Sequence, residues 1–517
     1  MIGLLIQDNA FEQDIRELLM SFYPGETYAH EVKEGAGFYV ETKLGEGQAE
    51  IRIWDSREDS LQSDHGNGQE DSLQSDHGNS REEENAGVCP PKDLSGFVLS
   101  DREVRPSDLS DHLATKNVIK KMFYQMLVKR TGKELPWGSL TGIRPTKIAL
   151  TRLEEGWSEA DIRSFMKDTY LASDEKIDLS IEIAAREKKL LAPLDYERGY
   201  SLYVGIPFCP TTCLYCSFTS YPISKWTGRT GLYLDALFKE LEYTAKKMEG
   251  RPLDTIYFGG GTPTALSAQD LDALLCKVEE LFDTKHALEF TVEAGRPDSI
   301  TEDKFKVLRD HEITRISINP QTMNQKTLDL IGRRHSVEMV KEKFFMAREM
   351  GFDNINMDLI MGLPEETLED VCHTLEEMRA LKPDSLTVHS LAIKRAARIN
   401  MFKEEYGNLH INNTPEMIAL SAECARQLGM EPYYLYRQKN MAGNFENVGY
   451  SLPGKACIYN ILIMEEMQTI AACGAGTTTK VVFPSENRRE RCENVKDVEQ
   501  YITRIDEMLE RKDKILV

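Results

Sequence analysis

The stretch GIPFCPTTCLYCSF, residues 205–218, decides the fold and most of the chemistry. Three cysteines, Cys209, Cys213 and Cys216, occupy it in the spacing C-x3-C-x2-C, directly after the β-rich run SLYVGI at 201–206. So short a loop lets all three thiolates turn toward one centre without help from distant chain. Soft thiolates select zinc or iron–sulfur clusters. A structural zinc ion wants a closed shell of four donors, usually from paired Cys or His elements, and no further Cys or His follows until Cys276. A 4Fe–4S cube on three thiolates instead leaves one iron open to a small-molecule ligand. Buried structural cysteines are the other alternative, but they rarely take this spacing beside Pro207 and Pro210. The cluster is favoured over both.

Downstream, short β-rich runs alternate with helical segments as far as about Lys394: DTIYFGG, EFTVEAG, RISIN, NINMDLIM and SLTVHSL. That alternation predicts βαβ units and a parallel sheet, open or barrel-like, with its site at the strand ends. One such end reads YFGGGTP, residues 257–263, where a glycine run lets backbone approach a ligand closely. Alone, it is an ordinary strand-to-helix turn.

Upstream, strands (MIGLLI, GFYVETK, AEIRIW) and a helix near Phe11–Phe22 predict a small α+β unit. Between about 55 and 90 the decapeptide EDSLQSDHGN occurs twice, and ten Asp and Glu face two Arg from Asp55 to Glu84. Such a run buries too little apolar surface to offset its ordering entropy, so it reads as a disordered insertion. His65 and His77 within it read as part of that insertion rather than as metal ligands. Gly142–Lys147 reads as a loop entering a helix, with an anion site on Arg144 and Lys147 as the lesser alternative. The expected domains are 1–190, an α/β core at 198–400, and a C-terminal domain at 401–517.

A chain of 517 residues exceeds one hydrophobic core. Its formal charge of −22 argues against a nucleic-acid surface, although a local basic pocket can still take an anionic substrate. No run approaches the ~20 apolar residues of a membrane span, and the N-terminal residues lack the basic region of a secretory signal. A cytoplasmic location is expected. Reduced thiols there fit metal binding by the three clustered cysteines. Cys89, Cys276, Cys372, Cys424, Cys457, Cys473 and Cys492 read as small buried apolar residues.

The cysteine loop resembles the radical S-adenosylmethionine (SAM) signature. That resemblance implies a partial (βα)6 TIM-like barrel with an N-terminal α+β domain and a C-terminal extension. It also implies a 4Fe–4S cluster on Cys209, Cys213 and Cys216, whose open iron chelates SAM. YFGGGTP resembles the family's GGGTP motif, implying SAM contacts at Gly260, Gly261 and Thr262. More widely, the chain resembles the oxygen-independent coproporphyrinogen III oxidase family, and its HemZ branch through PYYLYRQKN, NVGYS and GAGTTTK. Tyr203 matches the tyrosine of the family's YIHIPFC, placed near the SAM sulfonium, and Glu293 matches a carboxylate suited to the ribose hydroxyls; both are expected catalytic residues. Gln321, Arg333 and Asp358 match further SAM-binding positions in kind and spacing, and Ala392 falls at another. Tyr436, Arg437, Lys439 and Asn440 could grip propionates or form an aromatic core edge.

The resemblance implies oxidative decarboxylation of coproporphyrinogen III to protoporphyrinogen IX, with an electron donor such as flavodoxin or ferredoxin. Two departures weaken it: Phe218 stands where the decarboxylases have a fourth Cys, and Gly205 where they have His. Haem-chaperone relatives also carry an aromatic residue at the fourth-Cys position.

Overall fold

A computed structural model describes residues 1–31, 35–56, 94, 97–218, 220–394, 396–406, 408–438 and 445–516. From residue 57 on, the acidic insertion expected at about 55–90 lies outside the described residues, as do His65, His77, Cys89, Lys439 and Asn440. The chain divides into two compact units, Met1–Gly142 with Ser158–Asp178, and Ile143–Trp157 with Leu179–Val517.

In the first unit, Ile15, Leu18, Leu19 and Phe22 recur at helical spacing and are buried on one face of the helix Glu12–Phe22. The helix His112–Thr131 starts on Asp111, whose carboxylate accepts from the Leu113 and Ala114 N–H groups, and ends at Gly132 in the left-handed region. Both pack with a mixed sheet of β1 (Ile2–Ile6), β2 (Tyr28–Ala29), β3 (Phe38–Gly45), β4 (Gln48–Ser56) and β5 (Phe97–Pro106), in the order β2-β1-β3-β4-β5. This is an α+β unit.

The second unit holds the parallel sheet. Six strands pair in order: β6 (Tyr200–Ile206), then β9 (Leu253–Gly260), β10 (Glu289–Gly295), β11 (Arg315–Ile318), β12 (Ile355–Met361) and β13 (Ser385–Ser390). A two-residue pair, β7 (Phe208–Cys209) and β8 (Tyr221–Pro222), lies between the first two in sequence. Helices connect successive strands, as parallel pairing requires. Because β13 does not pair back onto β6, the barrel is partial. Its strands are buried on both faces and read as nearly continuous apolar runs, such as Leu202, Val204 and Ile206 on β6.

Residues after 400 extend this same sheet at both edges. β14 (Glu431–Tyr436) and β15 (Asn447–Ser451) add antiparallel strands beyond β13. β16 (Thr469–Cys473) pairs parallel to β6, followed by β17 (Thr478–Phe483) and β18 (Arg488–Glu493). Likewise, Ile143–Trp157 groups with the second unit rather than the first. There the Arg144 guanidinium donates to the Met464 carbonyl and pairs with Glu466, both at 3.0 Å, so Gly142–Lys147 is a docked loop entering the helix Thr146–Glu154.

The last helix, Ile505–Asp513, is held by a buried ion pair. Lys512 Nζ lies 2.9 Å from Glu240 Oε1, with side chains 1% and 0% exposed, and also donates to the Ala472 carbonyl at 2.7 Å. Glu240 further accepts from the Gly474 N–H and the Asn494 amide, each at 2.7 Å. Breaking a fully paired buried charge leaves its partner stranded. Lys512→Met is therefore expected to destabilise the second unit by about 3–5 kcal/mol, and adding Glu240→Gln to recover much of that loss. Urea unfolding of the two variants measures it.

Candidate functional site

The cysteine loop is built onto the sheet by backbone hydrogen bonds. β7 pairs with β8, and the Tyr221 N–H donates to the Pro207 carbonyl at 2.8 Å, closing the loop at its base. The chain beyond β9 clamps the other side: Gly261 N–H donates to Ile206 O and Thr262 N–H to Phe208 O, both at 2.7 Å. A Cβ on Gly261 would stand 2.6 Å from Phe208 O and 3.0 Å from Cys209 Sγ. Gly260 has φ +105. Glycine is required at both positions.

Cys209 and Cys213 are buried and Cys216 is half-buried. Burial pushes the Cys209 thiol up to about 11, against the opposing contact with the Thr262 hydroxyl at 3.4 Å. A cation that replaces the proton reverses that preference. Two guanidiniums face Cys213 Sγ, Arg296 at 3.7 Å and Arg333 at 3.9 Å. Arg296 is itself forked onto Asp298 at 2.9 and 2.6 Å and donates to Thr211. This electropositive wall suits thiolates carrying a net negative group.

A cavity of about 370 Å³ opens over the loop at the C-terminal ends of the strands. Of the cluster and SAM residues expected from the sequence, all but Tyr203 line it. Glu293, at the end of β10, accepts a 2.5 Å hydrogen bond from Tyr257 on β9. Burial raises the Glu293 carboxyl to about 7, with the Tyr257 hydrogen bond opposing and Asp358 reinforcing. Asp358, on β12, goes the other way. Burial would raise it, but His389 at 3.8 Å, a 2.7 Å hydrogen bond from Asn356 and the Arg315 charge outweigh that and hold it below the usual carboxylate range.

Gln321 follows β11 at φ +70, a conformation uncommon for a residue with a side chain. Its backbone is held by Asp358 O and the Ile360 N–H, each at 3.0 Å, while its Oε1 is buried with no hydrogen-bond partner. Arg315 Nε and Arg333 Nε are likewise buried and unmatched. Unmatched polar atoms around a cavity call for a polar ligand. With the glycine cradle and three thiols on one loop, the residues fit both an iron–sulfur group and a zwitterionic nucleoside such as SAM.

Tyr203 sits one layer away. Its ring stacks on Tyr459 and Tyr257, with centroids 6.0 and 6.1 Å apart, and lines a smaller neighbouring cavity with Gly205 and Gly260. The sequence reading missed Tyr257, Arg296, His389 and Tyr459. Tyr257 and Arg296 lie inside quoted motifs, YFGGGTP and TVEAGRP, and carried a signal; Tyr459 had none, since it arrives from about 200 residues past Tyr257. Of the scattered cysteines, Cys424, Cys457, Cys473 and Cys492 are buried as expected, but Cys372 is only half-buried and Cys276 is exposed on the polar side of its helix.

Residues 203–378 match the family model described as "Radical SAM superfamily". The chain is 43% identical over 405 residues to the oxygen-independent coproporphyrinogen-III oxidase-like protein HemZ of Bacillus subtilis (strain 168), covering 78% of this chain and 81% of that protein. It is 36% identical over 213 residues to the heme chaperone HemW of the same organism, covering 41% of this chain and 55% of that one. With the oxygen-independent coproporphyrinogen III oxidase of Escherichia coli (strain K12) it shares 34% identity over 196 residues, 38% of this chain and 42% of the relative. The fold is that of a radical SAM protein. Within that superfamily, the chain belongs to the oxygen-independent coproporphyrinogen-III oxidase-like family with HemZ. Its cofactors are a 4Fe–4S cluster and SAM.

Glu293 gives a pH test. With its carboxyl raised from 4.5 to about 7, the folded protein binds this proton more tightly than the unfolded chain. Its contribution is intact below about pH 4.5 and is lost as pH rises to about 7. Glu293→Gln keeps an acceptor for Tyr257 and cannot ionise. Relative to the parent, it is expected to gain about 3 kcal/mol between pH 4.5 and pH 8, read as a shift in the denaturant midpoint of the cluster-free protein.

Proposed function

We propose that this protein oxidatively decarboxylates two propionate side chains of coproporphyrinogen III to vinyl groups, giving protoporphyrinogen IX. The observation that carries this reading is a cationic groove of about 540 Å³ that adjoins the cysteine cavity through shared wall residues. Arg144, Lys394, Arg437, Lys480 and Arg491 line it, against one carboxylate, Glu466. It shares Lys394, Tyr436, Gln438, Ile463 and Met464 with the cavity over the loop. Burial would raise Glu466, but Arg144, Lys480 and Arg491 outweigh it and hold the carboxyl near 2. A basic trough on a chain of net charge −22 supports a polycarboxylate substrate.

In this reading Cys209, Cys213 and Cys216 hold the cluster, and Arg296 and Arg333 offset its charge. Gly260, Gly261 and Thr262 present backbone to SAM, while Glu293, Gln321, Arg333, Asp358 and Ala392 line its pocket. Tyr203, through its stack with Tyr257 and Tyr459, supports the Glu293 side of that pocket. When bound, the cluster and SAM supply a 5′-deoxyadenosyl radical. Each propionate would then give one hydrogen atom from its β-carbon to that radical, release CO2 and pass one electron to an external electron acceptor. A low-potential protein donor such as flavodoxin or ferredoxin serves the cluster. The groove cations orient the propionates, and the aromatic wall excludes water around the reacting carbon.

A second reading, haem delivery by a chaperone, is favoured by one feature. Phe218, at the fourth-Cys position, is 70% exposed at the cavity wall. It could stack on a flat macrocycle.

The test is anaerobic reconstitution with SAM, dithionite and coproporphyrinogen III. Protoporphyrinogen IX and 5′-deoxyadenosine are expected together, and replacing any of the three loop cysteines with Ala is expected to lower both more than 100-fold, about 2.7 kcal/mol or more. Lys394→Ala with Arg491→Ala is expected to lose the porphyrin product while keeping deoxyadenosine. Haem binding with no protoporphyrinogen would overturn decarboxylation in favour of the chaperone.

A further inference from the structure

Far along the chain from the cysteine loop, a second set of metal-ligating side chains converges on the outer helices of the second unit. Asp272, Cys276 and Glu279 lie at i, i+4 and i+7 of the helix Ala268–Leu281, and therefore share one face. His311 caps the neighbouring helix Glu302–Asp310 and turns its ring toward that face, its side chain 8% exposed. His311 Nδ1 lies 2.9 Å from Glu279 Oε1, and Nε2 lies 3.1 Å from Asp272 Oδ1 and 4.0 Å from Cys276 Sγ. Ligand atoms of Asp272, Cys276 and His311 fall within 4.8 Å of one another, the one such group among the described residues. None of the four residues lines the cavity over the cysteine loop.

We propose that Asp272, Cys276 and His311 form a second metal site, for a single divalent ion of the zinc class. The donor set is mixed: one soft sulfur, one imidazole nitrogen and one carboxylate oxygen, which is borderline-ion chemistry rather than that of calcium or magnesium. A tetrahedral zinc ion holds sulfur at 2.3 Å and nitrogen at about 2.05 Å, and so sets S and N about 3.5 Å apart and N and O about 3.4 Å apart. The observed 4.0 and 3.1 Å differ from those separations by about 0.5 and about 0.3 Å, and all three ligand atoms lie within 4.8 Å of one another. Glu279 on the far ring nitrogen has the position of the carboxylate that orients metal-bound histidines and fixes the tautomer with Nε2 as the ligand. A salt bridge of imidazolium with two carboxylates would account for His311, Asp272 and Glu279, but not for an exposed thiol directed at the same nitrogen. Three protein donors leave a fourth position to water, so the ion is exchangeable and ties the two helices together.

The cluster-loaded protein, kept anaerobic, is titrated with Co2+ and separately with Zn2+. One cobalt per chain is expected, with a thiolate-to-cobalt charge-transfer band and d–d bands of tetrahedral intensity in the difference spectrum. Cys276→Ser is expected to lose the charge-transfer band, His311→Gln to lose stoichiometric binding, and Glu279→Gln, a positioning change, to weaken binding 10–100-fold. Iron content, expected to be unchanged in all three, shows that the variants fold and retain the cluster. The proposal is overturned by a stoichiometry far below one, or by a cobalt band that survives Cys276→Ser. It is equally overturned if the band is lost only when the loop cysteines are replaced.

Discussion

One close backbone approach governs the site: the chain leaving β9 lies directly against the chain leaving β6. The hydrogen bonds Gly261 N–H to Ile206 O and Thr262 N–H to Phe208 O continue the parallel register of these strands beyond the sheet, where Ile206 pairs with Gly260. They fix Phe208 and Cys209 relative to the strands that carry Tyr257 and Glu293. With no Cβ on Gly261, Cys209 Sγ can sit at the sheet rather than above it. The loop thus inherits its rigidity from the sheet, and a metal group on three sulfurs needs that preorganisation.

From that seam the other parts follow in order of strand pairing. Each successive strand contributes residues between its middle and the loop just past its end: Glu293 from β10, Asn319 and Gln321 after β11, Asp358 from β12 and His389 from β13. The extension at the β13 edge then brings Tyr434 and Tyr436 on β14 and Asn447 on β15 to the same wall. The helix Ile458–Glu465 contributes Asn460, Ile463 and Met464. A partial barrel has open edges, and strand edges demand partners. At the β13 edge they are met by residues that also complete the cavity.

How much of this the sequence revealed depended on distance along the chain. The cysteine spacing, YFGGGTP and NINMDLIMGLP are local patterns, and period and spacing place them at strand ends without tertiary information. The six-strand parallel core was legible for the same reason, since each strand is followed by its own helix. The fate of the residues after 400 was not. A tail rich in Tyr, Asn and Gly reads as a separate domain, but β16 pairs with β6 from about 270 residues away, and nothing local encodes that. Tyr203 shows the same limit at the site: its position beside the loop was legible, but its stack with Tyr459 was not. Cys276 failed differently. Its helix is amphipathic, and the residue falls on the polar face with Asp272 and Glu279, a pattern available from i, i+4, i+7 spacing but overridden by the general tendency of cysteine to be buried.

Two carboxyls in one cavity, pushed in opposite directions, divide the polar work there. Asp358 keeps its charge because His389, Asn356 and Arg315 face it, so it can only accept hydrogen bonds. Among the described residues Glu293 has Tyr257 as its one hydrogen-bonded side chain, and Asp358 nearby opposes its ionisation. With its carboxyl near 7, it can accept or donate at neutral pH. The Asp358 charge raises the cost of ionising Glu293, and the fully buried Arg315 offsets only part of it. A cation entering such a cavity favours ionised Glu293, and burial and the Asp358 charge favour the protonated form in its absence. Binding there and the charge of Glu293 are therefore coupled, and the coupling follows from burial and strand position alone.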